Sequence, residues 1–361
     1  MKPPFRADQV GSLLRPAALA EARTRWRRGE LDAAALKGLE DQAIRDAVAK
    51  QESIGLQGIT DGEFRRDWWH LDFLSGLEGV TLKENPGPKF GGTEEQPPMP
   101  TVTGKIGCAG PIMVDDFAFL KSVTTKTAKM TIPSPSMLHL RGGRASISRE
   151  IYPDIEIFWA DVAEAYRTAI AHLAAAGCRY LQLDDVAFAY LCDPKIRENC
   201  IKNGDDPQRL PQRYAEVINA ALEGRPAGMT ITMHTCRGNF KSAWVAEGGY
   251  GPVAEAMFAT DLDGYFMEFD SARAGTFEPL RALPRGKKVV LGLVTTKVGE
   301  LESKETLKRR IDEAAQIVPL ENLCLSPQCG FSSTHHGNAL SPDDQWKKLE
   351  RIVEVAKEIW K

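Results

Sequence analysis

The amino-acid sequence predicts an α/β fold, namely a single-domain (β/α)8 TIM barrel over residues 1–361 with an irregular insertion near residues 83–100. Two observations favour this fold. In the second half of the chain, apolar strand-like segments alternate with segments of helical periodicity, which is typical of parallel strands joined by crossover helices. Eight segments qualify as strands, and eight strands close such a barrel. An open doubly wound sheet stays the alternative, because alternation alone does not separate the two architectures.

The strand candidates are short apolar runs bounded by turn-forming residues. In chain order they are Phe5–Val10, Gln57–Asp61, either Thr101–Gly107 or Lys129–Ile132, Tyr180–Asp184, Met229–His234, Gly264–Phe269, Lys288–Val294 and Asn322–Ser326. The helix candidates lie between them, at Ala33–Ile54, Phe158–Ala175, Pro211–Leu222, Pro252–Phe258, Lys304–Ile317 and Asp343–Trp360. The second helix should bury one face, because apolar residues recur there at helical spacing, namely Trp159, Val162, Tyr166, Ala169 and Leu173.

One segment, from Lys83 to Pro100, is rich in glycine and proline and lacks any periodic pattern. Such a composition indicates a long surface excursion without regular structure. We therefore read it as an insertion into the barrel and not as a domain boundary.

The bulk composition excludes several classes of protein. The formal net charge is −3, from 46 basic and 49 acidic residues, so neither nucleic acid nor an anionic membrane is expected as a partner. No apolar run follows the N-terminal charges, and no stretch is long enough to cross a bilayer. The seven cysteines are an odd number, scattered along the chain, which favours reduced thiols over a disulfide framework. We expect a cytoplasmic protein, and the oligomeric state is not indicated.

The polar residues at the ends of the predicted strands carry the chemistry, because active sites of such barrels lie at the C-terminal ends of strands. His234 and Cys236 are two residues apart and would point to the same side of an extended chain. Glu268 and Cys329 would arrive at the same mouth from two later strands. One nitrogen, one oxygen and two sulfur donors suit tetrahedral zinc.

The spacing of these residues is far longer than in a zinc finger, which favours a site assembled by the fold. A His-x-Cys pair taken alone is more often an ordinary buried pair than a pair of ligands. Cys324, inside its predicted strand, is better explained as a small core residue.

Other polar residues at strand ends admit a plain explanation. Asp184 and Asp185 could cap a helix, and at most one of the two should face the barrel mouth. Glu63 could pair with a neighbouring arginine, either Arg65 or Arg66. For the aromatic run that follows, Trp68, Trp69 and His70, packing in a loop is favoured over a substrate wall.

Several motifs resemble the catalytic barrel of the cobalamin-independent methionine synthases, and more closely the short single-barrel bacterial relatives of that enzyme. The strings that carry the resemblance are DGEFRRDWWHLDF, HTCRGNF, YFMEFDSARAGTFEPLR, GLVTTK and SPQCGF. The resemblance extends from about residue 5 to the C-terminus.

The resemblance implies a zinc-dependent enzyme that transfers a methyl group to the sulfur of homocysteine. It implies catalytic zinc ligands at His234, Cys236, Glu268 and Cys329. It also implies that the amino-acid part of homocysteine is held by Gly11, Ser12, Glu63 and Asp184. Bound zinc would lower the pKa of the thiol, and the thiolate is the nucleophile. Carboxylates are the groups that an ammonium needs beside it, so the last two assignments agree with simple electrostatics.

Three departures from the family concern the methyl donor. The chain has only the catalytic barrel, whereas full-length methionine synthases have two. The stretch Gly292–Lys297 lacks the histidine found in the full-length enzymes, and Ser134–Pro135 is followed by His139 and Arg141 without the expected tryptophan. The sequence therefore leaves the donor open between methyltetrahydrofolate and a smaller methyl donor.

Two other functions compete with methionine synthesis. A relative of the epoxyalkane:coenzyme M transferases would join a different thiol to an alkyl group, but a sulfonate thiol would favour cationic residues where Glu63 and Asp184 stand. A catalytically silent metal-binding barrel is the third possibility. An exchangeable thiol at an open ligand position, or any turnover with homocysteine, would argue against this third possibility.

Overall fold

A computed structural model describes residues 2–85 and 97–360 of the chain. Its main feature is a curled sheet of seven parallel strands in the order β1-β4-β5-β6-β7-β8-β9, and two further strands, β2 and β3, form an antiparallel hairpin. The strands are β1 (Gly58–Ile59), β2 (Glu78–Lys83), β3 (Met99–Gly107), β4 (Thr127–Pro133), β5 (Tyr180–Asp185), β6 (Thr230–Thr235), β7 (Gly264–Glu268), β8 (Lys288–Val294) and β9 (Leu323–Pro327).

The N-terminal segment occupies the place beside the last strand. Ala7 forms a parallel bridge with Leu325, and the amide of Asp8 donates to the carbonyl of Leu325 at 3.0 Å. A few residues later the chain reaches the segment that follows the first strand, where the Leu13 amide donates to the Gly62 carbonyl at 3.0 Å. The segment therefore lies between the two ends of the curled sheet, as in a TIM-type barrel. The predicted strand Phe5–Val10 is present only as this single bridge.

The structure decides between the two candidates for the third barrel strand. Lys129–Ile132 lies inside β4, whereas Thr101–Gly107 belongs to the antiparallel hairpin, so the second of the two alternatives is the barrel strand. The hairpin brackets the predicted insertion at residues 83–100. Lys83 ends β2 and Met99 begins β3, so regular structure reaches further into the segment than its composition suggested. Residues 86–96 lie outside the described part of the chain.

Helices connect the strands and cover the outside of the sheet. They are α1 (Ala17–Arg27), α2 (Ala33–Ile54), α3 (Leu71–Leu74), α4 (Val114–Val123), α5 (Ile155–Ala175), α6 (Ala187–Tyr190), α7 (Pro194–Lys202), α8 (Leu210–Leu222), α9 (Ala254–Phe258), α10 (Lys304–Ala315) and α11 (Pro342–Ile359). Helix α2 has the predicted bounds, because Asp32 caps its first turn and Gly55, at φ 100°, ends it. No helix among the described residues is long and apolar enough to cross a membrane.

The core confirms the predicted apolar faces. The five predicted residues of α5 are buried, from Trp159 to Leu173. Inside the barrel, Val10, Phe266, Val290 and Cys324 form a small separate apolar cluster. The members of this cluster come from the N-terminal segment and from β7, β8 and β9, so Cys324 is a core residue, as predicted. The packed interior leaves the C-terminal ends of the strands as the place for a site.

Candidate metal centre and substrate pocket

Four potential metal-binding side chains converge where three strands end. His234 lies in β6 and Cys236 just after it, Glu268 is the last residue of β7, and Cys329 follows β9. One donor atom from each lies within 4.8 Å of the others, and all four residues are buried. The geometry therefore brings together the four residues that the sequence singled out.

The two cysteines of this cluster are free thiols, and their sulfur atoms lie 3.4 Å apart. The hydrogen bond between them raises the pKa of Cys236 well above its usual range and lowers the pKa of Cys329. The pair thus loses its first proton readily and resists losing the second. The second proton is retained because two adjacent thiolates would repel each other. A nearby cation would weaken that repulsion.

His234 is held from two sides. Its Nδ1 lies 3.6 Å from a carboxylate oxygen of Asp184, and its Nε2 lies 3.2 Å from the carbonyl oxygen of Gln328. Burial lowers the pKa of His234, but the hydrogen bond with Asp184 and the charge of Cys329 outweigh it and raise the pKa to about 9. These partners fix the orientation of the imidazole ring.

Glu268 is fully buried and both of its carboxylate oxygens are engaged. One oxygen accepts a hydrogen bond from the amide of Arg237 at 3.2 Å, and the other lies 3.2 Å from the guanidinium of Arg273. Arg273 also contacts Asp270 at 2.8 Å, so it is shared between two acidic residues. Sequence reasoning missed this arginine, which holds the carboxylate in place at the end of β7.

The donor set fits zinc. Two thiolates bound to one tetrahedral zinc ion at about 2.3 Å would lie about 3.8 Å apart. The sulfur atoms here are 3.4 Å apart, so a small adjustment would suffice. With one imidazole and one carboxylate in addition, the cluster offers the nitrogen, oxygen and sulfur donors that this ion prefers.

Glu63 lies beside this cluster, in a backbone conformation with φ 59°. Its carboxylate accepts a hydrogen bond from Thr131 at 2.9 Å and lies 3.8 Å from Arg66. Burial, followed by the charge of Asp184, raises the pKa of Glu63 to about 7 against the opposing effect of Arg66. Of the two arginines considered from the sequence, Arg66 is the neighbour, whereas Arg65 pairs with other acidic residues.

The two N-terminal residues assigned to substrate lie against the same pocket. A Cβ atom at Gly11 would come within 2.6 Å of the Glu63 carboxylate, so only glycine fits there without displacing it. The hydroxyl of Ser12 accepts a hydrogen bond from the amide of Ser332 at 3.3 Å. A Cβ atom at Gly330 would meet that hydroxyl at 2.0 Å, so the loop after Cys329 packs directly on Ser12.

The adjacent carboxylates of β5 play different parts. Asp184 accepts a hydrogen bond from Gln182 at 2.7 Å and reaches His234, whereas Asp185 accepts from Ser136 at 2.5 Å and from the amide of Phe188 at 3.0 Å. The carboxylate of Asp185 therefore caps the chain that follows the strand. Asp184 is therefore the carboxylate of the two that is available to bind a ligand in the pocket.

One pocket, open to solvent, is lined by Ser12, Glu63, Asp184, His234, Cys236 and Cys329. Its wall includes Trp68, Trp69 and His70, for which loop packing had been favoured from the sequence. Arg141 and Tyr190 also line the pocket and were not identified. Arg141 lies in the loop after β4 and Tyr190 ends the short helix α6 after β5, so their only sequence signal is their place soon after a strand end.

The comparison with known protein families gives one match over nearly the whole chain. Residues 5–358 match the family described as the catalytic domain of cobalamin-independent synthase. Among curated proteins, the uncharacterized protein YxjH of Bacillus subtilis is 47% identical over 100% of this chain and 96% of its own length.

A longer relative is the 5-methyltetrahydropteroyltriglutamate–homocysteine methyltransferase of Thermotoga petrophila, which is 24% identical. The match covers 99% of this chain but only 45% of that protein. Among solved structures, a putative vitamin-B12 independent methionine synthase from Listeria monocytogenes superposes with a TM-score of 0.82 at 40% identity. That match covers 100% of this chain and 99% of the Listeria chain.

Proposed function

The chain belongs to the family of cobalamin-independent synthase catalytic domains, and from this premise we propose that it is a zinc-dependent S-methyltransferase that converts homocysteine to methionine. The observation that carries the proposal is the 3.6 Å contact between Asp184 and His234. Asp184 is a carboxylate that could bind an ammonium group, and His234 belongs to the cluster that could bind a metal and, through it, a thiolate. Because the two residues are in contact, one small amino-acid thiol could reach both the carboxylate and the metal.

His234, Cys236, Glu268 and Cys329 would hold the zinc ion. When bound, zinc supplies positive charge that lowers the pKa of an incoming thiol and keeps its sulfur ionised. Arg273 and Asp184 orient two of these side chains through their contacts with Glu268 and His234.

Glu63 and Asp184 bind the ammonium group of homocysteine, and Gly11 and Ser12 form the adjoining wall for its amino-acid part. The ammonium group would favour the ionised form of Glu63, whose pKa stands at about 7 without it. When the substrate is absent, the positive charge of Arg66, 3.8 Å away, partly balances the negative charge of this buried carboxylate. Trp68 and Trp69 line the same pocket and would shield the substrate sulfur from bulk water.

The transfer itself is a displacement. The homocysteine sulfur forms the new bond to the methyl carbon as the bond between that carbon and the donor breaks, and the electron pair leaves with the donor. The thiol proton is released when the sulfur ionises. The rest of the pocket, beyond the amino-acid part, is left for methyltetrahydrofolate or a smaller methyl donor.

A donor screen tests this function. Purified zinc-loaded enzyme is incubated with a panel of methyl donors and either homocysteine or 2-mercaptoethanesulfonate, and the methylated thiol is quantified by mass spectrometry. Methionine should form with at least one donor, and the sulfonate thiol should react far more slowly because Glu63 and Asp184 repel it. Preferential alkylation of the sulfonate thiol, or no product from either, would contradict the proposal.

A further inference from the structure

The pocket has a second polar wall that the homocysteine assignment does not use. It is formed by His70, which precedes α3, by Arg141 in the loop after β4, and by Tyr190 at the end of α6. All three side chains carry hydrogen-bond donors, whereas Glu63 and Asp184, which line the same pocket, carry acceptors. The pocket therefore offers donor groups in addition to the acidic groups that suit an ammonium.

The polar groups of the donor-rich wall lack protein partners. Both ring nitrogens of His70 are buried without a hydrogen bond, and the side chain is fully shielded from solvent. Within residues 2–85 and 97–360, Arg141 makes neither an ion pair nor a hydrogen bond through its guanidinium, and the Tyr190 hydroxyl makes no hydrogen bond. A buried polar group without a partner is costly, so His70, facing the pocket together with the unpaired donors of Arg141 and Tyr190, indicates a ligand that completes the wall.

The electrostatics favour an anionic ligand. Burial lowers the pKa of the Arg141 guanidinium, which is the effect of removing water from a cation that has no counter-ion close by. Burial and the charge of Arg141 together lower the pKa of His70 well below its ordinary value, so the imidazole is neutral and keeps one N–H donor. Of the three side chains of this wall, only Arg141 therefore carries a positive charge, and one anionic group on a ligand would balance that charge.

The wall also lies close to the reacting end of the pocket. Burial raises the pKa of Tyr190, the charge of Arg141 lowers it, and the charges of Cys236, Glu268 and Cys329 raise it further. The Tyr190 hydroxyl lies 3.0 Å from where a Cβ atom at Gly238 would stand, two residues beyond Cys236. A molecule held by Arg141 would thus reach past Tyr190 toward the metal centre.

We infer that His70, Arg141 and Tyr190 bind an oxyanion, such as a carboxylate, on the methyl donor, and that the physiological donor is therefore an anionic small molecule. The inference rests on the proposed function, in which Gly11, Ser12, Glu63 and Asp184 already hold the amino acid. A bidentate guanidinium–carboxylate pair, supported by the phenol and the imidazole, orients the donor with its methyl group toward the homocysteine sulfur.

Binding of matched acids and amides tests the inference without requiring turnover. The probes are ω-(methylthio)alkanoates of increasing chain length and the corresponding amides, titrated into zinc-loaded enzyme saturated with homocysteine and followed by ligand-observed NMR. The chain length is varied so that one member of the series spans the distance between Arg141 and the homocysteine sulfur. For at least one length, the acid should bind at least about tenfold more tightly than its amide, the scale of a hydrogen-bonded charge pair.

Variants test whether the preference for the acid over its amide arises from the wall formed by His70, Arg141 and Tyr190. Arg141→Met should reduce the acid-to-amide ratio to below about threefold while leaving the amide affinity unchanged, and Arg141→Lys should retain part of the ratio. Arg149→Met removes an exposed arginine in the same loop region and should retain the full ratio. Equal binding of acids and amides at every length, or a preference that survives in Arg141→Met, would overturn the inference.

The same titrations separate this inference from the proposed function. If Arg141→Met weakens homocysteine binding instead, the wall serves the carboxylate of the amino acid, and the inference about the donor is wrong while the methyltransferase proposal stands. If the wild-type enzyme does not bind homocysteine, the proposed function has failed. The acid and amide comparison on the thiol-free enzyme then still decides whether the wall binds an oxyanion.

Discussion

The sulfur atoms of Cys236 and Cys329 lie 3.4 Å apart, although the two residues are 93 positions apart in the chain. They follow β6 and β9, which are not neighbours in the sheet, because β7 and β8 lie between them. Their side chains meet only because the sheet curls and brings the ends of its strands over a common mouth. The candidate metal centre is thus a product of the curvature of the barrel.

The first prediction concerns metal content. Purified protein should contain about one zinc ion per chain, with two sulfur neighbours at about 2.3 Å in its X-ray absorption spectrum. Cys329→Ala should lose most of the metal, whereas Cys324→Ala, which removes a buried thiol from the apolar cluster, should retain it. A metal shell without sulfur would show that the cysteines are not ligands.

The second prediction separates substrate binding from metal binding. Asp184→Asn keeps the size of the side chain and an oxygen for His234 but removes one charge, so the zinc content should stay near normal. Use of homocysteine should fall by about 2–3 kcal/mol in kcat/KM, the scale of a lost charge-assisted hydrogen bond. A simple thiol without an amine, assayed with the same variant, should lose much less. Equal losses for both thiols would remove the support for an ammonium site.

The third prediction is a pH dependence. Glu63 has a pKa of about 7 in the folded protein, so it is mostly neutral at pH 6 and mostly ionised at pH 8. Only the ionised carboxylate attracts an ammonium, so methionine should bind about tenfold more tightly at pH 8 than at pH 6. Methionine has no thiol proton to complicate the titration. Glu63→Gln should flatten the profile in isothermal titration calorimetry, and an unchanged slope would assign the titration to another group.

The pKa of Glu63 also has a consequence for stability. A carboxyl with a raised pKa binds more protons in the folded state than in the unfolded state, so it destabilises the fold increasingly as the pH rises from about 4.5 to 7. In the metal-free protein without substrate, Glu63→Gln should therefore unfold at a higher temperature than the wild type at pH 8. The difference should disappear below about pH 4.5, where both states are protonated.

The fourth prediction concerns the glycine beside Glu63. Gly11→Ala would place a methyl group 2.6 Å from the Glu63 carboxylate and 2.9 Å from Thr131, so the carboxylate must move. Methionine affinity should fall at least about tenfold while the zinc content is retained. Gly29→Ala is the matched control, because Gly29 also has a positive φ, 73°, but its Cβ atom would meet nothing within 4 Å. Equal behaviour of the two variants would assign the effect to backbone strain.

The sequence predicted the residues that stand at the ends of regular strands. His234 and Cys236 follow from the alternation of an extended chain, and Glu268 from its place at the end of an apolar run. Periodicity could not place Arg141 or Arg273, because these side chains reach the site from loops whose paths depend on tertiary packing. The same limit explains why the sequence left the third barrel strand open between two segments, because residues 101–107 have the composition of a barrel strand but pair in a hairpin.

The wall of the pocket was equally hidden from the sequence. Trp68 and His70 were better explained as loop packing, and the structure places both on the pocket wall. Trp68 contacts a segment far away in the chain, through a 5.6 Å ring contact with His335. Long-range contacts of this kind leave no periodic signal in the local sequence.

The most direct test of the central claim measures what homocysteine does to the zinc-loaded enzyme. Its addition at neutral pH should release close to one proton per chain and raise the number of sulfur neighbours of the metal from about two to about three. Metal-free enzyme should release none. An unchanged metal spectrum and no proton release at saturating homocysteine would contradict thiol activation at His234, Cys236, Glu268 and Cys329, even if zinc is bound there.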